Sequence, residues 1–324
     1  MAGTFAERLA AGRVLVLDGA MGTELERRQV ATPLPAWTAS ALLTAPDTVL
    51  AIHREYAAAG AEGLTTATFR TTRRALAAVG AGERAAELTA LAVELARQAA
   101  QGAPGGRQVF VLGSMAPLED CFRPDLVPDA AAIAREQAAH AMNLARAGVD
   151  ALLVETMNTT REAVAAVGAA RATGLPALAS FIAGGDANLL DGEPLATLVP
   201  ALLAAGPAAV LVNCTPVEVT GRVLAALLAL AGSTPVGAYA NIGYPRPGRR
   251  EPGTATDLAA VTPAELGRHA AAWVRAGARI VGGCCGTTPA HIAAVRAAVD
   301  AIGTEPTAAP AAQPNTESDK EPSA

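Results

Sequence analysis

The sequence predicts a single (β/α)8 TIM barrel with a disordered C-terminal tail. Eight short segments rich in Val, Leu and Ala with strand character alternate with eight alanine-rich helical ones along the chain, the alternation of a closed parallel barrel. Polar, acidic and thiol residues collect at the ends of the strand segments, where barrels of this kind keep their chemistry. No G-x-G-x-x-G follows the first strand, which disfavours a doubly wound open sheet.

In chain order, strands are predicted at residues 13–18, 63–69, 108–114, 150–155, 176–182, 208–214, 236–241 and 279–284. The helices between and after them are predicted at 48–59, 82–101, 129–147, 160–173, 194–205, 216–231, 263–276 and 289–302. Thr215-Pro216, Thr262-Pro263 and Thr288-Pro289 read as cap-then-proline helix starts, since proline fixes φ and loses no needed donor there. Gly60, Gly148, Gly174 and Gly206 read as helix stops. Residues 246–256, rich in Pro, Gly and Arg, form a long loop after the seventh strand. Periodicity ends at Gly303, so one barrel domain spans 1–303 and residues 304–324 are a disordered Pro/Ala/charged tail.

With 324 residues, 51% hydrophobic and 17% charged, the chain has ample core material. A net charge of -5 gives no basic footprint for nucleic acid. Apolar runs such as 223–232 are too short to span a bilayer, and Glu7 and Arg8 interrupt any signal-like start. The expected protein is cytoplasmic, with no nucleic-acid or membrane partner; a homo-oligomer is left open. Four cysteines in so long a chain do not make a disulfide framework and point to metal or catalysis. The sole lysine, Lys320, lies in the tail, which argues against Schiff-base chemistry.

The strand ends present Asp18, Thr68, Ser114, Glu155, Cys214, Asn241 and the pair Cys284-Cys285, whereas His53, His140, His269 and His291 all fall in predicted helices. A buried cysteine is often only a small hydrophobe, but Cys214 and Cys284-Cys285 end the sixth and eighth strands, near neighbours around a barrel. Adjacent strand residues point to opposite faces; Gly282, Gly283 and Gly286 permit a bend or bulge that turns both sulfurs inward. Three thiolates with one open position suit catalytic Zn2+. A non-catalytic barrel would close that position, and Cys121 is the only spare thiol. Asp18 and Glu155 serve equally as caps for neighbouring backbone or as paired carboxylates for a substrate ammonium. In the second case the loop Gly19-Ala20-Met21-Gly22 offers backbone N–H groups to a carboxylate. Thr68, Ser114 and Asn241 are weaker candidates.

The motifs Asp18-Gly19-Ala20-Met21-Gly22-Thr23, Glu155-Thr156, Asn213-Cys214-Thr215 and Gly282-Gly283-Cys284-Cys285-Gly286 resemble those of the homocysteine S-methyltransferase family, in family order, over about residues 10–302. The resemblance implies a zinc-bearing barrel with Cys214, Cys284 and Cys285 as ligands. It also implies that Asp18 and Glu155 hold the homocysteine amino group; Gly19, Ala20 and Asn241 are expected beside the substrate from their places at the strand ends. The expected reaction is methyl transfer to the homocysteine thiol, forming methionine. One barrel leaves no room for folate or cobalamin domains, which favours a small donor such as S-methylmethionine or S-adenosylmethionine. Betaine-type or corrinoid-protein-linked thiol methylation is the alternative: Thr156 stands where betaine-type members carry tyrosine, and residues 114–124 depart from the glycine-rich stretch of S-methylmethionine enzymes. Aromatic residues are 3% of the chain, so a cage for a quaternary ammonium would draw on Phe69, Phe122, Tyr239 and Tyr244.

Overall fold

The computed structural model describes residues 3–243 and 261–304. Eight parallel strands, β1 (Leu15–Val16), β2 (Gly63–Thr65), β3 (Phe110–Met115), β4 (Ala151–Met157), β5 (Ala177–Phe181), β6 (Ala209–Pro216), β7 (Val236–Asn241) and β8 (Ile280–Gly283), pair in the order β1-β8-β7-β6-β5-β4-β3-β2. The remaining seam, between β1 and β2, is spanned by one parallel bridge, Leu17 to Gly63. This is the expected (β/α)8 barrel. β1 and β2 are much shorter than predicted, with Asp18 and Thr66 just beyond the regular ladder still bonded by backbone to Gly63 and Leu112.

Period-two alternation divides each strand between two cores. Leu15, Leu17, Leu112, Leu153, Leu211 and Ile280 pack inside the barrel. Val16, Val111, Val154, Val212 and Val281 face the helical layer. Phe5, on a short helix Phe5–Ala10, packs edge-on against Phe110 at 5.4 Å and belongs to the inner core, so this helix covers the end of the barrel where the strands begin. Its capping box, Thr4 with Glu7, is readable in the sequence, yet this helix is missing from the predicted set. Also missing are Met21–Arg27, Ala39–Thr44 and Arg73–Ala77, all too short to show an amphipathic period.

The outer helices follow prediction closely. Gly60, Gly148 and Gly206 cap helices in the left-handed conformation, with φ of 108, 85 and 74°. Thr262 caps Pro263–Ala276 as expected, with Glu265 completing the box. At Thr215-Pro216 the reading is corrected: β6 runs through Pro216 and the helix begins at Val217. The predicted loop at 246–256, Tyr244 and the tail beyond Thr304 lie outside the described residues.

Candidate active site

Strand parity alone would separate the cysteines. In β6, Ala209 and Leu211 face inward and Val210 and Val212 outward, so a regular strand would turn Asn213 in and Cys214 out. A bulge intervenes: β6 carries one residue more than β7 between the pairs Asn213–Tyr239 and Pro216–Asn241. Cys214 takes the left-handed conformation there, φ 50°, at a cost of roughly 1–3 kcal/mol, and its side chain packs with Cys285 and Ile182.

Cys284 and Cys285 lie just beyond β8, in a turn: of the expected bend or bulge, the structure has the bend. Gly286, φ 88°, supplies the left-handed step of that turn. Thr287 fixes it, donating from N (3.1 Å) and Oγ1 (2.7 Å) to the Cys284 carbonyl. Gly282 and Gly283 serve close approach instead: a Cβ on Gly282 would lie 2.8 Å from Leu17 Cβ, and one on Gly283 would lie 2.5 Å from Thr287 Oγ1.

The outcome is one cluster. The sulfurs of Cys214, Cys284 and Cys285 lie within 4.8 Å of one another, with Cys214 and Cys285 at 3.5 Å. Three soft donors at this spacing fit a thiophilic ion and leave a tetrahedral position for an outside ligand. Amides support two of the sulfurs: Asn213 Nδ2 is 3.9 Å from Cys284 Sγ, and Asn241 Nδ2 is 3.9 Å from Cys214 Sγ. Hydrogen bonds from Cys214 and Cys285 hold the Cys284 thiol well below its ordinary range. Cys121 lines the same pocket but stands outside the three-sulfur group, and burial pushes its thiol up to about 12.

Asp18 and Glu155 line this pocket too, both buried. Asp18 Oδ2 accepts the Thr65 N–H at 2.8 Å. Glu155 Oε1 accepts from Ser114 Oγ, and Oε2 accepts from the Tyr239 hydroxyl at 3.1 Å. Burial pushes Asp18 well above the usual carboxylate range, against the Thr65 hydrogen bond and with the Glu155 charge adding to it. Glu155 is raised to about 7, again chiefly by burial, with Cys284 adding repulsion. Among the described residues no basic side chain forms an ion pair with either acid, an arrangement that can receive a cation.

The predicted Gly19–Gly22 loop is half helix, since Met21 and Gly22 open the helix Met21–Arg27. The Ala20 N–H donates to Thr287 Oγ1 at 3.2 Å, and the Ala20 carbonyl accepts from the Tyr56 hydroxyl at 3.1 Å. Gly19 passes so close to Thr287 and Tyr56 that a Cβ would lie 2.7 Å from each. Of the aromatic residues expected for a cage, Phe69, Phe122 and Tyr239 line the pocket, with the Tyr239 hydroxyl committed to Glu155. Trp37, not singled out in the sequence, packs edge-on to Phe69 at 5.3 Å. Thr287, Tyr56 and Asn213 were likewise not read as site residues; only the position of Asn213 and Thr287 beside the cysteine motifs signalled them.

A family model described as homocysteine S-methyltransferase matches residues 15–299. The chain belongs to the homocysteine S-methyltransferase family. It is therefore an enzyme of the methyltransferase class, and the family supports methyl transfer to homocysteine. It is 34% identical to the homocysteine S-methyltransferase of Escherichia coli K12, over 88% of this chain and 94% of that protein. It is 30% identical to homocysteine S-methyltransferase YbgG of Bacillus subtilis, over 88% and 94%. Against methionine synthase of Mycobacterium tuberculosis it is 32% identical, over 89% of this chain and 25% of that protein. The crystal structure of the E. coli homocysteine methyltransferase MmuM in its metallated form superposes with a TM-score of 0.78 at 30% identity, covering 90% of this chain and 98% of that one. Among the described residues, no helix is long and apolar enough to cross a membrane.

Proposed function

We propose that this family member methylates the thiol of homocysteine to give methionine, using Zn2+ held by Cys214, Cys284 and Cys285 and a small sulfonium donor such as S-methylmethionine or S-adenosylmethionine. The observation that carries the reading is the presence, in one pocket, of a three-thiol cluster and two buried carboxylates. An amino acid bearing a thiol satisfies both ends of that pocket.

When bound, zinc supplies the Lewis acidity that keeps the substrate sulfur a thiolate at neutral pH, where a free thiol is mostly protonated. The chain's own residues do the rest. Asp18 and Glu155 take the substrate ammonium, and Ser114 and Tyr239 hold Glu155 toward it. Gly19 and Ala20 form the backbone wall for the substrate carboxylate, which would exchange for the Thr287 hydroxyl at the Ala20 N–H. Asn241 stands beside Cys214, so its role is to steady a thiolate rather than to touch the amino acid. The substrate sulfur attacks the donor methyl carbon; the carbon–sulfonium bond breaks, its electron pair leaves with the donor as a neutral thioether, and the thiol proton goes to solvent. Alignment and exclusion of water are the main sources of rate.

Trp37, Phe122 and Asp120 line the same pocket, and aromatic and acidic groups there support a cationic donor. The test is a donor panel with zinc-loaded protein and homocysteine, reading methionine. Turnover with a sulfonium is expected; turnover with betaine or a methylcorrinoid alone overturns the donor assignment.

A further inference from the structure

β4 and β6 each bulge at the pocket, and each bulge holds a non-glycine residue in the left-handed region. Thr156 has φ 57° and Cys214 has φ 50°. β4 carries one residue more than β5 between the pairs Val154–Ala179 and Met157–Phe181, so Val154 and Met157 both face the helical layer and Glu155 stays inside. The left-handed region is an outlier for a β-branched residue unless its surroundings impose it.

One side chain imposes it. Asn213 Oδ1 accepts the Thr156 N–H at 2.9 Å, and Asn213 Nδ2 donates to Thr156 Oγ1 at 2.7 Å, gripping backbone and side chain together. The same Oδ1 accepts from Ser180 Oγ at 2.7 Å, and Nδ2 is 3.9 Å from Cys284 Sγ. Asn213 is fully buried. A single amide thus ties the residue after Glu155 to the cysteine cluster.

We propose that Asn213 is a positioning residue that fixes the span between the Glu155 carboxylate and the cysteine sulfurs, and that this span selects the length of the amino-acid thiol. The inference rests on the reading above, in which the substrate amino group meets Glu155 and its sulfur meets the cluster. A substrate held at both ends must have the right number of methylenes between them.

The test compares the zinc-loaded wild type, Asn213→Ala, and Asn213→Ala combined with Thr156→Gly, with cysteine as the competitor one methylene shorter. In the single variant the KM for homocysteine should rise about tenfold while kcat changes less than about threefold, and the preference for homocysteine over cysteine should fall by a similar factor. Zinc content should stay near that of the wild type. Glycine adopts a positive φ without support, so the double variant should regain most of the lost KM and preference. A merely structural amide would show no such rescue. A single variant with wild-type KM and preference overturns the proposal, as does a double variant that regains neither. If the single variant does not fold, the double variant is expected to fold and bind homocysteine, and its failure to do so also overturns the proposal. A wild type that neither binds nor methylates homocysteine overturns the proposed function and this inference with it; losses confined to the variants bear on Asn213 alone.

Discussion

Tyr239 donates its hydroxyl to Glu155 Oε2 at 3.1 Å, while the other oxygen of the same carboxylate accepts from Ser114. Both hydroxyls come from inward-facing strand positions, so Glu155 is an acid held from two sides and, among the described residues, without an ion-pair partner. That arrangement suits the ammonium contact proposed for it and makes it sensitive to pH.

Glu155 titrates near pH 7, above the ordinary glutamate value of 4.5. The folded chain therefore binds this proton more tightly than the unfolded chain, and the ligand-free fold loses stability as pH rises from about 4.5 through 7. In the proposed function the substrate ammonium meets the ionised form, so the KM for homocysteine should fall over the upper part of the same window. Glu155→Gln should flatten the limb near pH 7 in both thermal unfolding and KM profiles. A variant that keeps the limb would assign it to another group.

Purified protein should carry about one zinc per chain. Cys284→Ser should lose it, since two thiols are a poor site, and Cys121→Ser should keep it because Cys121 stands apart from the three sulfurs. Metal analysis after dialysis reads both. Zinc loss on removing Cys121 would mean a closed, four-thiol site.

Asp18→Asn keeps an oxygen for the Thr65 N–H but removes the charge. The KM for homocysteine should rise about tenfold or more with zinc content unchanged, as expected for a lost charged contact of roughly 1.5–3 kcal/mol. Steady-state kinetics beside metal analysis separates this from a folding defect; an unaltered KM removes Asp18 from amine binding.

Gly282→Ala should destabilise the fold by roughly 1–3 kcal/mol, because the added Cβ would lie 2.8 Å from Leu17 Cβ and 3.2 Å from the Asp18 carbonyl. Urea unfolding reads the loss. A midpoint equal to the wild type would show that β1 can shift away from β8 without cost.

The barrel was legible because its signal is repeated eight times and each helix carries its own start or stop. The cysteine cluster was legible as residue types at strand ends. Its geometry was not: Val-Leu-Val-Asn-Cys reads as an unbroken strand, and the bulge that re-aims Cys214 arises from pairing with β7. Asn213 was visible only as part of a motif, since its partners Thr156, Ser180 and Cys284 come from three other strand ends. Gly282 and Gly283 were read as sources of bending, yet what demands them is the bulk of Leu17 and Thr287. Local pattern finds the elements; the tolerances between them appear only when distant segments meet.

The seam between β1 and β2 gives Asp18 a mechanical duty. The strands there share one bridge, made in part by the Asp18 N–H to the Gly63 carbonyl at 2.9 Å, and beyond it the Asp18 carboxylate accepts from the Thr65 N–H at 2.8 Å. A side chain thus supplies a rung where the backbone ladder has run out. A cation drawn to Asp18 would share the carboxylate whose Oδ2 bonds the first strand to the second. In the proposed function, the residue that meets the substrate ammonium is therefore also one that joins the two ends of the sheet.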